Sequence, residues 1–205
     1  MKIEIAPQET TRAEAFSLWM TSPMPMVTLT KTFNVTKLLR ASKRRGIKFN
    51  ALLCWCIGKA ASNIKEFYIL PENGKLFKYD SIAINVIVNN SKGGINSCDI
   101  VYTDDAGQFA KEYNRLTAQA ATQCKSSFLE DSMIVGTSAM TGTELDCIVN
   151  QYTDKFCNPM VMWGRYRRNW FCTTLPISFQ FHHVQMDGGH GAGFLEQLQR
   201  VINEL

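Results

Sequence analysis

The stretch "TLPISFQFHHVQMDGGHGAGFLEQLQRVINEL", residues 174–205, changes its hydrophobic period partway along, and that change decides the fold. Leu175, Ile177, Phe179 and Phe181 recur every second residue and share one face of a strand, whereas Pro176, Ser178, Gln180 and His182 share the other. After Gly188 and Gly189 the apolar residues move to helical spacing, at Phe194, Leu198, Val201, Ile202 and Leu205. The reading is a strand, a glycine turn and a terminal amphipathic helix. All three histidines of the chain, His182, His183 and His190, fall at that corner beside Asp187. Strand parity continued to its end aims His183 into a desolvated setting, where a neutral imidazole acts as a base near neutral pH. His182 points the other way.

A histidine on an apolar face is more often a core residue than a catalytic one, so parity alone leaves both roles open. Adjacent histidines on a strand project to opposite faces and do not readily share an ion, so no metal is expected. The run "GGHGAG" does not complete the G-x-G-x-x-G of a dinucleotide site. Its glycines are read as a tight turn.

Outward from the corner, the chain reads as one globular domain over residues 1–205, with 45% hydrophobic and 20% charged residues. A net charge of +4 is too small to imply nucleic acid or a membrane surface. The N-terminus has no apolar signal region and the longest apolar run, Ala51 to Ile57, is far short of a bilayer span. Seven cysteines show no C-x-x-C pair, which suggests free thiols and a cytoplasmic protein. Helices are expected over 12–20, 34–43, 50–64 and from Asp104 or Asp105 to about Cys124, with strands over 26–35, 79–88, 95–103, 133–138, 145–150, 161–167 and 171–183. The run "NNSKGG" joins two of these strands as a hairpin. The class is mixed α/β.

The segment "HHVQMDG" fits H-H-x-x-x-D-G and resembles the signature of the chloramphenicol acetyltransferase family, shared with dihydrolipoyl acyltransferase catalytic domains. The likeness extends over nearly the whole chain: "RAEAF", "KFNALLCWCIGKAASNIKEF", "KYDSI", "TSAM", "NPMVMWGRY" and "LPISFQFHH" follow in the family's order. It implies a two-layer sandwich of a mixed sheet packed with helices, the CoA-dependent acyltransferase fold, assembled as a homotrimer with active sites between subunits. It also implies that His183 is the general base, that Ser138 hydrogen-bonds the oxyanion, and that Asp187 pairs with Arg12 to hold the histidine loop. Acetyl-CoA would be the co-substrate of transfer to an acceptor hydroxyl, with no bound cofactor. The residues leave open a weak or inactive CoA-binding homologue, or transfer to another alcohol, amine or dihydrolipoyl thiol.

Departures from the family pattern fall on the acceptor side. The Pro-Trp pair that follows the family's serine is missing from "SAMTGTELDCIV", and family aromatics are replaced at Leu18, Trp19 and Asn96. These departures put chloramphenicol itself in doubt as the acceptor, and poor acetylation of it is expected. The cluster "KLLRASKRRGIK", with six positive charges, reads as a solvated helix face, and its lack of interleaved aromatics argues against nucleic acid. Arg165, in "RYRR", stands where the family has a lysine and is the candidate for the CoA phosphates.

Overall fold

The computed structural model describes residues 1–153 and 155–205. Its larger sheet, of mixed direction, contains β2 (Met26–Asn34), β10 (Thr173–His182), β8 (Met160–Trp163), β7 (Met133–Ala139), β5 (Ile82–Asn89) and β6 (Ile95–Val101), paired in that order, with β9 (Arg167–Arg168) also on β10. The pairs β8/β7 and β7/β5 are parallel; β2/β10, β10/β8 and β5/β6 are antiparallel. A smaller antiparallel sheet joins β1 (Lys2–Ile5), β4 (Lys75–Tyr79) and β3 (Ile69–Glu72).

Helices α3 (Phe49–Ser62), α4 (Ala106–Gln123) and α5 (Gly188–Asn203) pack on one face of the larger sheet, while α2 (Thr36–Arg45) leans on α3 and α5. This is the two-layer α/β arrangement expected. The apolar face of β10 supplies its centre: Phe179 packs on Phe194 of α5 at 4.5 Å between ring centroids and on Phe181 at 5.1 Å. Phe67 closes the cluster from the loop before β3. Each such ring contributes roughly 1.5–3 kcal/mol by leaving water. At Gly191 a Cβ would meet Phe181 at 2.5 Å, so the absent side chain is what lets α5 lie so close to β10.

Most expected elements are present, including the 90–94 hairpin loop and an α4 whose Asp105 accepts from the backbone of Gly107 and Gln108. Two expectations need correction. Residues 145–150 form no strand, because both edges of β10 are already occupied by β2 and β8. The segment instead crosses the sheet face, held by Ile148 N donating to Ser178 Oγ and Gln180 Nε2 donating to Asn150 O. The expected 161–167 strand breaks after Trp163, where Arg165 N turns aside to Thr143 O. The small sheet is an addition, and its β3–β4 turn holds Asn73 and Gly74 at φ 50 and 76, the Asn-Gly hairpin geometry.

Among the described residues no helix is long and apolar enough to cross a membrane, and the cysteines form no disulfide. Burial pushes the Cys54 thiol up to about 12, which makes it inert. Part of the basic cluster docks locally: Lys37 and Arg44 donate to backbone oxygens of Asn203 and Leu205 at the end of α5.

Candidate active site

Arg12 stands at the N-terminal end of α1 (Ala13–Trp19), 3% exposed, and fixes the turn that follows β10. Its two terminal nitrogens take the two Asp187 oxygens at 2.6 and 2.8 Å, a bidentate pair. The same guanidinium donates to His183 O at 2.7 Å and Val184 O at 2.8 Å. These four bonds end the strand. Backbone carbonyls that would have continued a ladder are captured by an arginine from the other end of the chain. The Arg12 guanidinium, ahead of the opposing effect of burial, also holds the Asp187 carboxyl below its usual range.

The three histidines have three different environments. His182 ends β10 and is wholly buried; its Nδ1 accepts from Val184 N at 3.1 Å, and burial pushes its pKa down to about 4. It is neutral, with its proton on Nε2, which meets no described hydrogen-bond partner. His190 caps α5, its Nδ1 accepting from Asp187 N at 3.1 Å, while Nε2 lies 3.5 Å from the buried Glu66 carboxylate. His183 begins the turn with its side chain 30% exposed. Nδ1 of His183 is buried, 3.5 Å from Asp187 Oδ1, and the exposed edge carries Nε2. Trp19 lies flat against the ring, with centroids 4.8 Å apart and planes inclined by 11°.

Strand parity therefore fails at its last step. Both faces of β10 are buried, the strand stops at His182, and the desolvated histidine is His182, not His183. Parity also missed the stacking on Trp19, which covers one face of His183 without enclosing it.

Ser138 lies on β7, and strand register separates it from His183. Ser138 pairs with Met162, which pairs with Ser178, and His183 follows Ser178 by five residues. At strand spacing that is about 16 Å along the sheet and two strands across, close to ~19 Å in all. One copy of the chain does not bring this serine and this histidine together.

Ser138 does stand between two depressions. Beyond the end of β7 lies a groove of about 420 Å³ lined by Lys48, Phe49, Tyr113, Trp163, Arg165 and Tyr166. Arg165 is 3.9 Å from Glu144 and keeps much of its guanidinium in solvent. On the other side, two residues earlier, Gly136 lines a cavity of about 600 Å³ together with Asn85, Asn96, Asp99, Phe128 and Met160. Of the expected acceptor residues, Asn96 is in this cavity with its amide tied to Asn90 and Ser126. Trp19 stands at His183, and Leu18 faces solvent. In the sequence Lys48 stands out only as part of the basic cluster, and Asp99 does not stand out as a site candidate. Only the alternation "INSCDIV", which turns Ser97 and Asp99 away from Cys98 and Ile100, carried a signal for the latter.

An N-terminal arginine clamp on an HHxxxDG corner, set in a two-layer mixed sheet, is the architecture of the CoA-dependent acyltransferases. Comparison with known proteins agrees. A solved chloramphenicol acetyltransferase superposes with a TM-score of 0.82 over 98% of this chain and 100% of its own, at 20% identity. The dihydrolipoamide acetyltransferase of Azotobacter vinelandii, studied for the role of a serine, a histidine and an asparagine in its catalytic mechanism, gives 0.63 over 98% and 91%, at 17% identity. In sequence, the chain is 23% identical over 202 residues to chloramphenicol acetyltransferase 2 of Escherichia coli, covering 95% of this chain and 93% of that protein. The family model for chloramphenicol acetyltransferase matches residues 2–199, and the chain belongs to that family of acyltransferases.

Proposed function

We propose that the protein transfers an acetyl group from acetyl-CoA directly to an acceptor hydroxyl, with His183 as base. The observation that carries this reading is the Arg12–Asp187–His183 arrangement. An Asp187 held anionic by Arg12 lies 3.5 Å from His183 Nδ1; the contact is too poorly aligned for a full hydrogen bond, yet its charge favours the proton on Nδ1. That leaves the lone pair on the exposed Nε2. The acceptor oxygen attacks the thioester carbonyl carbon while Nε2 takes its proton. The tetrahedral oxyanion receives a hydrogen bond from the Ser138 hydroxyl. Collapse breaks the C–S bond, and the departing thiolate takes the proton back from the imidazolium. No acyl-enzyme forms.

The groove beside Ser138 is the candidate for CoA, with Lys48 and Arg165 of its lining as candidate phosphate contacts. Because His183 and Ser138 of one copy lie about 19 Å apart by strand geometry, the site is assembled between copies, in a trimer as the family resemblance implies. Chloramphenicol is expected to be a poor acceptor, since Leu18 is exposed and Asn96 is occupied with its neighbours.

Subunit mixing tests this reading. His183→Ala and Ser138→Ala chains, each inactive alone, should on random mixing regain about a quarter of wild-type thiol release, the fraction of sites receiving both intact residues. No regain, with mixed oligomers verified, would place both residues in one subunit, and a Ser138→Ala chain fully active alone would remove Ser138 from the chemistry.

A further inference from the structure

The cavity beyond Gly136 contains a buried charge that acyl transfer to a neutral alcohol does not use. Asp99 of β6 is 6% exposed and stands directly opposite Asn85. Its Oδ1 accepts from Asn85 Nδ2 at 2.6 Å and its Oδ2 from Leu129 N at 2.8 Å. Both donors are neutral, and among the described residues no lysine, arginine or histidine is paired with it. A carboxylate has about four acceptor positions, so it retains capacity for a cationic donor. Leaving such a charge buried without a counter-ion is costly, and a serine or asparagine would anchor Leu129 without that cost.

Strand register gives the carboxylate its relation to the proposed chemistry. Asp99, Asn85, Gly136 and Met160 form one cross-strand row, and Ser138 follows Gly136 by two residues on the same face. By strand spacing the Cα atoms of Asp99 and Ser138 are roughly 12 Å apart. Along that path the cavity wall includes apolar Ile87 and Phe128, and Ile95 stands one row beyond Ser138. At Gly136 a side chain would collide with Met160 Sδ, so the bare backbone keeps that floor open.

We propose that the acceptor is a small alcohol bearing a protonated amine: the ammonium sits on Asp99, the hydrocarbon body lies along Ile87 and Phe128, and the hydroxyl reaches the Ser138 rim. The inference rests on the acyl-transfer reading above. The ammonium has no lone pair, so the hydroxyl remains the nucleophile and gives its proton to His183.

The test uses the full-length wild-type protein with acetyl-CoA and linear amino alcohols of about four to eight carbons, a range set by strand spacing. Alkanols of the same length serve as neutral isosteres. kcat/KM from thiol release should favour the best amino alcohol at least tenfold, as expected of a hydrogen-bonded buried charge. Asp99→Asn should abolish that preference. Equal use of both series by the wild type, as a cation from a neighbouring copy on Asp99 would produce, overturns the proposal even if Asp99→Asn fails to fold. A preference surviving in folded Asp99→Asn overturns it too. If no acceptor is acetylated, the reaction reading fails, and calorimetric binding then decides the cation site separately: a wild-type preference for the amino alcohol that Asp99→Asn loses upholds it, and no preference refutes it.

Discussion

The histidine corner and the outer-face cavity are built on opposite plans. At the corner most backbone groups of the turn are claimed: Arg12 takes two carbonyls, His182 and His190 accept two N–H groups, and His183 N donates to Pro25 O. The cavity is walled by side chains from separate strands and loops, several of them apolar and exposed, such as Ile95 and Phe128. One region holds His183 to fixed geometry within a single copy; the other leaves a surface open to be completed by something else. On the proposed reading, rigidity falls where the chemistry needs it and openness where the acceptor would enter.

The sharpest way to break that contrast is to remove the proposed base. His183→Ala should lower acetyl transfer at least about a hundredfold with fold and CoA binding retained. His182→Asn, whose side-chain oxygen can still accept from Val184 N, should change turnover far less. Equal losses in kcat for two folded variants would erase the distinction between the buried and exposed imidazole.

Next in size is the clamp. Arg12→Ala removes one side chain but frees the Asp187 carboxylate and two backbone carbonyls, so a loss of about 3 kcal/mol in chemical denaturation is expected. Asp187→Asn should cost less, because Asp187 is half exposed and water replaces part of what is lost. A double-mutant cycle should give clear coupling; additive losses would mean that the two do not act as a pair.

Acid should expose His182 in particular. The unfolded chain binds a proton there with the ordinary pKa of 6.5, whereas the folded chain resists until about 4. Between those values the unfolded state holds more protons, so this group's contribution to stability falls as pH drops from 6.5 to 4, by at most about 3 kcal/mol. Asp187, whose folded pKa is lowered, loses its contribution only at still lower pH. Thermal denaturation across that window should show a steeper decline for the wild type than for His182→Asn. Parallel curves would contradict the buried neutral imidazole.

The smallest effect concerns Trp19. Its stacking on His183 is worth roughly 0.5–1.5 kcal/mol, so Trp19→Ala should lower kcat up to about tenfold, and Trp19→Phe should recover much of it. Substitution at Leu18, which faces solvent, should do little to turnover.

Reading the sequence alone located the corner because its signals are local: a period-two strand, paired glycines and a period-3.6 helix adjoin in one stretch. The clamp partner Arg12 and the proposed oxyanion role of Ser138 came only through family resemblance, since no periodicity connects residue 12 with residue 187. The order of burial between His182 and His183 was misread because it depends on where the ladder stops, and Arg12 sets that point from the far end of the chain. The strand expected over 145–150 failed for a similar reason: its composition suits a strand, but no free edge of β10 remained to pair with it.

The placement of β10 has a consequence for biosynthesis. It pairs on one side with β2, made early, and on the other with β8, yet it is the last strand to leave the ribosome. Until then β2 has no partner in the larger sheet, and Arg12 waits for an aspartate 175 residues downstream. Sheet closure and assembly of the histidine corner thus coincide near the end of translation. A nascent chain stalled before residue 173 would have neither, so a premature stop anywhere upstream should yield an aggregation-prone fragment in place of a weakened enzyme.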